Sequence, residues 1–155
     1  MMTAAAALAI DTQDDVRDNA MPDAPPHAKT ITFRDGLLGF PECRNFTLLR
    51  TERPGFFWLQ SLEHDPLAFL LVDPFLFFEG YAVDLNSAEA ADLGAVAPTD
   101  LAVFAIVTLP RVPEEPCTAN LQGPIALNLR TGLGRQLILP DSDYGVRCPL
   151  DLNAA

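Results

Sequence analysis

Three cysteines in 155 residues, none in a Cys-x-x-Cys arrangement, offer no disulfide framework and no zinc cluster. Cys43, Cys117 and Cys148 are odd in number and widely spaced, and they read as reduced thiols of a cytoplasmic protein. Long apolar runs are missing too. LAFLLV from Leu67 and LAVFAIV from Leu101 stop at six and seven residues, far short of the ~18 of a membrane span, so no bilayer crossing is expected. Met1 to Ile10 is apolar, but no Lys or Arg precedes it and Asp11, Asp14 and Asp15 follow at once, which argues against a secretory leader. Positive charge is scarce, with 10 basic against 21 acidic residues and a formal charge of -11. Such a field repels phosphate backbones and attracts basic protein surfaces, so direct nucleic-acid binding is disfavoured.

What is present is apolar and β-forming. The chain is 49% hydrophobic and 20% charged, enough for one domain with a single core. LAFLLVDPFLFF at Leu67 to Phe78 lacks polar alternation, which predicts a strand covered on both faces and a turn at Asp73-Pro74, where proline has no donor for a ladder. Residues 1–28 hold five Asp, one Arg, three Pro and no aromatic, a composition that predicts a disordered arm. The remainder keeps 16 acidic and 9 basic residues. Residues 29–150 form the expected domain and 151–155 a short tail.

From Lys29 onward, turn chemistry recurs every dozen or so residues, among it Asp35-Gly36, Pro54-Gly55, Asp65-Pro66, Gly123-Pro124 and Pro140-Asp141. That rhythm predicts an antiparallel β fold. Strands are expected at Thr30 to Phe33, Phe46 to Arg50, Phe56 to Leu62, Leu67 to Val72, Tyr81 to Leu85, Leu101 to Leu109, Ile125 to Arg130 and Gln136 to Leu139. One helix is expected over Ser87 to Leu93, capped by Asn86 with Glu89 three residues on and ended by Gly94. Thr99-Asp100 offers a second helical start, but the β-branched LAVFAIVTL favours a strand after it.

Catalytic constellations are poorly supported. Asp141-Ser142-Asp143 could hold a divalent cation, and a small metal-dependent hydrolase using Asp141, Asp143 and His64 is the alternative reading, but the same stretch is ordinary turn chemistry. No Ser sits in a nucleophile elbow, and His64 lies between Glu63 and Asp65 as a loop residue would. Cys43 has no neighbouring His. Gly132-Leu133-Gly134 lacks the third glycine and the helix of a phosphate-binding loop, and reads as a hairpin tip. Nine of the ten phenylalanines lie between Phe33 and Phe78. Phe75, Phe77 and Phe78 cannot all face one way from an extended strand, so an exposed aromatic beside acidic residues is expected as a binding anchor. An oligonucleotide-binding barrel would need more basic residues near those aromatics.

Five ordered blocks then carry a resemblance: ITFRDGLLGFPECRNFTLL at Ile31 to Leu49, FFWLQSLEHDPLAFLLVDPFLFF at Phe56 to Phe78, LAVFAIVTLP at Leu101 to Pro110, TANLQGPIALN at Thr118 to Asn128 and QLILPDSDYGVRCPL at Gln136 to Leu150. Together they resemble the bacterial flagellar assembly factor family FliW. The resemblance implies a mainly β fold, a small antiparallel β-barrel-like domain with one or two short helices. It also implies no enzymatic activity, no cofactor, and two cytoplasmic protein partners. One is flagellin before export; the other is CsrA, a translational repressor whose repression of flagellin synthesis is antagonised when it is bound. On motif matches the partner-binding residues are Asp73, Phe75, Phe77, Phe78, Asn120, Asp141, Asp143 and Tyr144. The chain departs from the family at its start: the arm replaces the usual N-terminal hairpin, Ala7 to Ile10 is expected as a remnant strand, and an uncovered sheet edge is expected beside Thr30 to Phe33.

Overall fold

Strict alternation on three successive strands decides the architecture. Ile31 and Phe33, Phe46 and Leu48, and Phe57 and Leu59 point one way and are buried, while Thr30, Thr47 and Trp58 point the other. A sheet with so consistent an apolar face must cover it, and here it does so by closing. The computed structural model describes residues 28–63, 67–139 and 144–151, together with the backbone of Met2–Thr3.

The strands are β1 (Met2–Thr3), β2 (Lys29–Phe33), β3 (Asn45–Arg50), β4 (Phe56–Ser61), β5 (Ala68–Val72), β6 (Asp84–Leu85), β7 (Leu101–Thr108), β8 (Thr118–Asn128), β9 (Leu133–Gln136) and β10 (Cys148–Pro149). The sheet runs β10-β8-β7-β5-β4-β3-β2-β9, and β8 also pairs with β9. Seven strands therefore form a closed barrel, with β10 attached outside the ring on β8. All pairings are antiparallel except one: β2 and β9 run parallel through Thr32↔Leu133 and Phe33↔Gly134. That parallel seam covers the edge of β2 that the sequence left open. Met2–Thr3, at the start of the expected arm, pairs with Asp84–Leu85. Ala7 to Ile10 lies outside the described residues.

Aromatic rings fill the barrel. Phe33 and Phe46 meet edge to face at 5.4 Å, and Phe57 and Phe104 at 4.9 Å, geometry worth ~1 kcal/mol per pair beyond burial. Gly134 is required at the seam, because a Cβ there would come within 2.7 Å of Leu127 Cδ2 and 2.8 Å of the Phe33 ring. A second apolar cluster lies outside the barrel wall, where residues of the 72–101 connection and the C-terminal segment cover β5, β7 and β8.

That connection contains helix α1 (Ser87–Asp92). Asn86 Oδ1 accepts from Glu89 N at 2.8 Å and Glu89 Oε1 from Asn86 N at 2.9 Å, a reciprocal cap. Gly94, with φ of 69°, follows the helix. Asn128 is fully buried, donates to the Leu93 carbonyl at 2.8 Å and accepts from the amides of Arg130 and Thr131, tying α1 to the β8–β9 turn.

Three strand expectations shift. Tyr81 to Val83 makes no ladder, because Tyr81 and Val83 bury their side chains in the outer cluster and only Asp84–Leu85 pairs. β8 starts at Thr118 and ends at Asn128, before the expected Arg130, since residues 129–132 form the tight turn closed by Gly132 N on Asn128 O. β9 is Leu133–Gln136 and not Gln136 to Leu139. Gly132 does sit in the hairpin tip, but Leu133 and Gly134 belong to the strand. Thr99-Asp100 falls in a 3-10 turn, Pro98–Asp100, leading into β7. Among the described residues no helix is long and apolar enough to cross a membrane.

Candidate binding surface

Asp73 explains why the Phe-rich run is not one long strand. Its carboxylate accepts from Phe75 N at 3.0 Å and caps a 3-10 turn, Pro74–Leu76, that proline starts without a lost donor. Asp73 itself is 1% exposed, so it orders the turn from beneath. The turn changes the side-chain directions that an extended chain would have had. Phe75, Phe77 and Phe78 are all half-buried against the outer cluster, and the exposed member of the run is Leu76, at 45%. Phe77 meets Phe56 edge to face at 5.4 Å.

Three distant segments converge on Tyr81. Its ring lies 5.7 Å from Phe75 and 4.6 Å from Tyr144, and its hydroxyl donates to the Leu121 carbonyl at 2.8 Å. Burial, followed by the nearby Tyr144 and Cys148, pushes the Tyr81 hydroxyl far above its usual pKa, so it stays a donor. Tyr144 in turn accepts from Ala82 N at 3.4 Å. Asn120 organises the third segment. The β7–β8 register jumps between Phe104↔Ile125 and Ile106↔Asn120, and the resulting bulge folds over Asn120 Oδ1, which accepts from Gln122 N at 3.1 Å and Gly123 N at 2.8 Å. The Leu121 amide then donates to Gly145 O at 3.0 Å.

Six of the eight residues expected from sequence are thus placed: Asp73 beneath the turn, Phe75 and Tyr144 half-buried against the Tyr81 ring, Phe77 half-buried against Phe56, Phe78 half-buried on the outer cluster, and Asn120 under the bulge. Asp141 and Asp143 lie outside the described residues, directly before Tyr144. Tyr81, the centre of the layer, was missed. Its signal was weak, a lone aromatic after Gly80 that scans as a strand start. Glu79 and Asp84 are exposed on the same connection. The layer offers partial aromatic exposure beside carboxylates, a surface suited to contact and without a reactive group.

Catalytic arrangements find little support. Among the described residues no three His, Cys, Asp or Glu side chains are grouped to hold a metal ion. Both histidines, His27 and His64, lie outside the described residues, as do Asp141 and Asp143. Cys43 is buried, and desolvation, reinforced by Glu42 and Glu63, raises its thiol pKa, which disfavours a thiolate nucleophile. A cleft of about 240 Å³ lies between residues 34–41 and β9; there Arg135 and Asp92 pair at 2.6 Å, and Gln136 accepts from Leu38 N. Another, near 440 Å³, lies beside the β7–β8 loop with Arg111, Glu115 and Arg147. Neither lining joins a Ser or Cys to a histidine.

Comparison with known proteins places this geometry. The family model described as "FliW protein" matches residues 24–150. The chain is 40% identical over 127 residues to a protein of Treponema denticola named "Flagellar assembly factor FliW", covering 81% of this chain and 86% of that one. It is 44% identical over 118 residues to a protein of the same name from Moorella thermoacetica, covering 76% of this chain and 75% of the other. Among solved structures, "Crystal structure of the flagellar assembly factor FliW" superposes with a TM-score of 0.72 at 35% identity, covering 78% of this chain and 84% of that chain.

Proposed function

The chain belongs to the FliW family, and from that premise we propose that this flagellar assembly factor works by occupancy, holding cytoplasmic protein partners without chemical turnover. The partners are a CsrA-type translational repressor and flagellin. While the repressor is held, flagellin synthesis proceeds; as flagellin accumulates it takes the factor, and the released repressor stops synthesis. Two competing affinities suffice for such a switch.

The observation that carries this reading is the Tyr81 layer, in which Phe75 and Tyr144 remain partly exposed around the ring, with Phe77 and Phe78 partly exposed on the connection that also carries Glu79 and Asp84. An acidic surface speeds encounter with a basic RNA-binding protein and selects against others, while half-buried rings supply apolar contact at little entropic loss. Asp73 and Asn120 act in this scheme as positioning residues. Asp141 and Asp143, directly before Tyr144 in the sequence, supply negative charge.

The test is calorimetry of the full chain against purified CsrA and purified flagellin, at low and at physiological salt. Saturable heat with both, weakening with salt for CsrA, is expected. Absence of binding to either partner overturns the proposal. Heat with divalent cations alone would favour the hydrolase reading, and affinity for RNA that falls steeply with salt would favour an oligonucleotide-binding barrel.

A further inference from the structure

The outer cluster covers only half of the barrel wall. Over β7, β8 and the end of β5 the outward side chains are buried, whereas among the described residues those of Thr30, Trp58, Gln60 and Ala68 are exposed and those of Thr32, Asn45, Thr47, Leu49 and Leu70 partly so; Phe56, at the start of β4, belongs to the covered half. The less covered wall has an ordered composition. A cross-strand row of Leu49, Trp58 and Leu70 runs over it by register and ends under the covered half at Val107. Beside it lie neutral polar side chains, with Thr30, Thr47 and Gln60 in register in the neighbouring row. Within these strands no outward position of this wall carries a charge, in a chain that is 20% charged. Trp58, the sole tryptophan, is 39% exposed at its centre. An exposed tryptophan in an apolar row with a neutral polar surround is the composition of an interface core.

We propose that this wall docks an amphipathic helix of a protein partner, with the apolar stripe on Leu49, Trp58 and Leu70 and neutral or acidic side chains along its borders. Closure of the barrel selects a helix. β4 is hydrogen-bonded along both edges, so an extended peptide could not add a strand there and its backbone groups would lose water without gaining partners. A helix satisfies its own backbone. Its width also fits, since two strand spacings of about 4.8 Å separate Leu49 from Leu70 and a helix is about 10 Å across.

Charge selects the borders. Residues 29–63, which supply most of the wall, hold five basic and four acidic residues, whereas 64–155 hold four basic and twelve acidic. Arg44 and Arg50 bracket β3, and Arg53 stands over Phe56 at 5.4 Å beside the row. The acidic side of the molecule suits a basic partner, and this wall suits a neutral or acidic one. This surface is distinct from the Tyr81 layer, so its test stands or falls separately from capture of CsrA.

Because Trp58 is the only tryptophan, its emission reads the wall directly. Three synthetic 18-residue peptides serve as probes on the full chain: a helix with a leucine stripe bordered by glutamates, the same stripe bordered by lysines, and a scrambled order of the first. A saturable blue shift with the glutamate-bordered helix is expected, weaker with lysine borders and absent with the scramble. T47E/Q60E, at solvent-facing positions and checked for an unchanged melting temperature, should weaken binding at least tenfold. No shift, an equal shift with the scramble, or a lysine-bordered response as strong as the glutamate one overturns the proposal. So does emission of the free chain that is already blue and shielded from acrylamide, which would mean its own residues cover the wall. Emission that changes with protein concentration would assign the wall to a second copy and also overturn it.

Discussion

Gly134 stands in register with Phe33 across the parallel seam, and a Cβ built on it comes within 2.8 Å of the phenylalanine ring. The atoms met are the tips of the Phe33 and Leu127 side chains, both fully buried in the barrel, so relief requires repacking of that interior. Gly134→Ala is expected to destabilise the fold by about 1–3 kcal/mol, the usual range for overpacking. Urea unfolding with an unchanged slope and a lower midpoint checks it. A neutral result would mean the seam relaxes freely.

Asn128 makes three bonds from a fully buried position. Asn128→Leu keeps the volume but takes the acceptor from the Arg130 and Thr131 amides and leaves the Leu93 carbonyl only the Thr131 hydroxyl, at 3.0 Å. A loss of roughly 1–3 kcal/mol is expected from an unsatisfied buried group. Hydrogen exchange should show the loss first at α1 and the 129–132 turn, the two segments this side chain joins.

Asp100 predicts an acid limb to the stability curve. Its Oδ2 accepts from Val96 N at 2.8 Å and Ala97 N at 3.1 Å, with Arg130 at 3.7 Å. The Val96 amide, then the Ala97 amide and Arg130, outweigh the opposing desolvation and hold the carboxyl below its ordinary value. The folded state therefore binds this proton more weakly than the unfolded chain. The stabilisation is complete at neutral pH and disappears as pH falls from about 4 through the lowered pKa. Asp100→Asn should be less stable than wild type at pH 7, and the difference in melting temperature should narrow in acid. A constant difference would contradict the assignment.

Asp141 and Asp143 are tested together. Reversing both to lysine should slow association with CsrA several-fold and flatten its salt dependence, as loss of steering charge does. Stopped-flow association rates provide the measurement. An unchanged rate would remove this pair from the encounter surface.

How far the sequence could be read depended on how local each determinant was. The reciprocal cap of α1 sits within four residues, Asn86 to Glu89, and was legible. So were β3, β4 and β7, whose apolar side chains and flanking turns lie within one segment. β9 was not, because its glycine earns its place only against Phe33 and Leu127, far away in the chain. The turn at Asp73-Pro74 was legible, but the directions of Phe75, Phe77 and Phe78 were argued from an extended strand, whereas they are set by the Asp73 carboxylate, a side-chain bond to the backbone that periodicity does not register. Tyr81 was missed for a related reason. Nothing near it announces that Phe75, Leu121 and Tyr144 will assemble around its ring.

The parallel seam also has a consequence for biosynthesis. Thr32 finds Leu133 only after the ribosome has delivered the intervening chain, so the cylinder cannot be completed while translation is short of Gln136. Until that moment the nascent chain carries its phenylalanine-lined interior as an open, sticky sheet. Truncated products ending before β9 should for that reason aggregate or be degraded, and should not persist as smaller working factors.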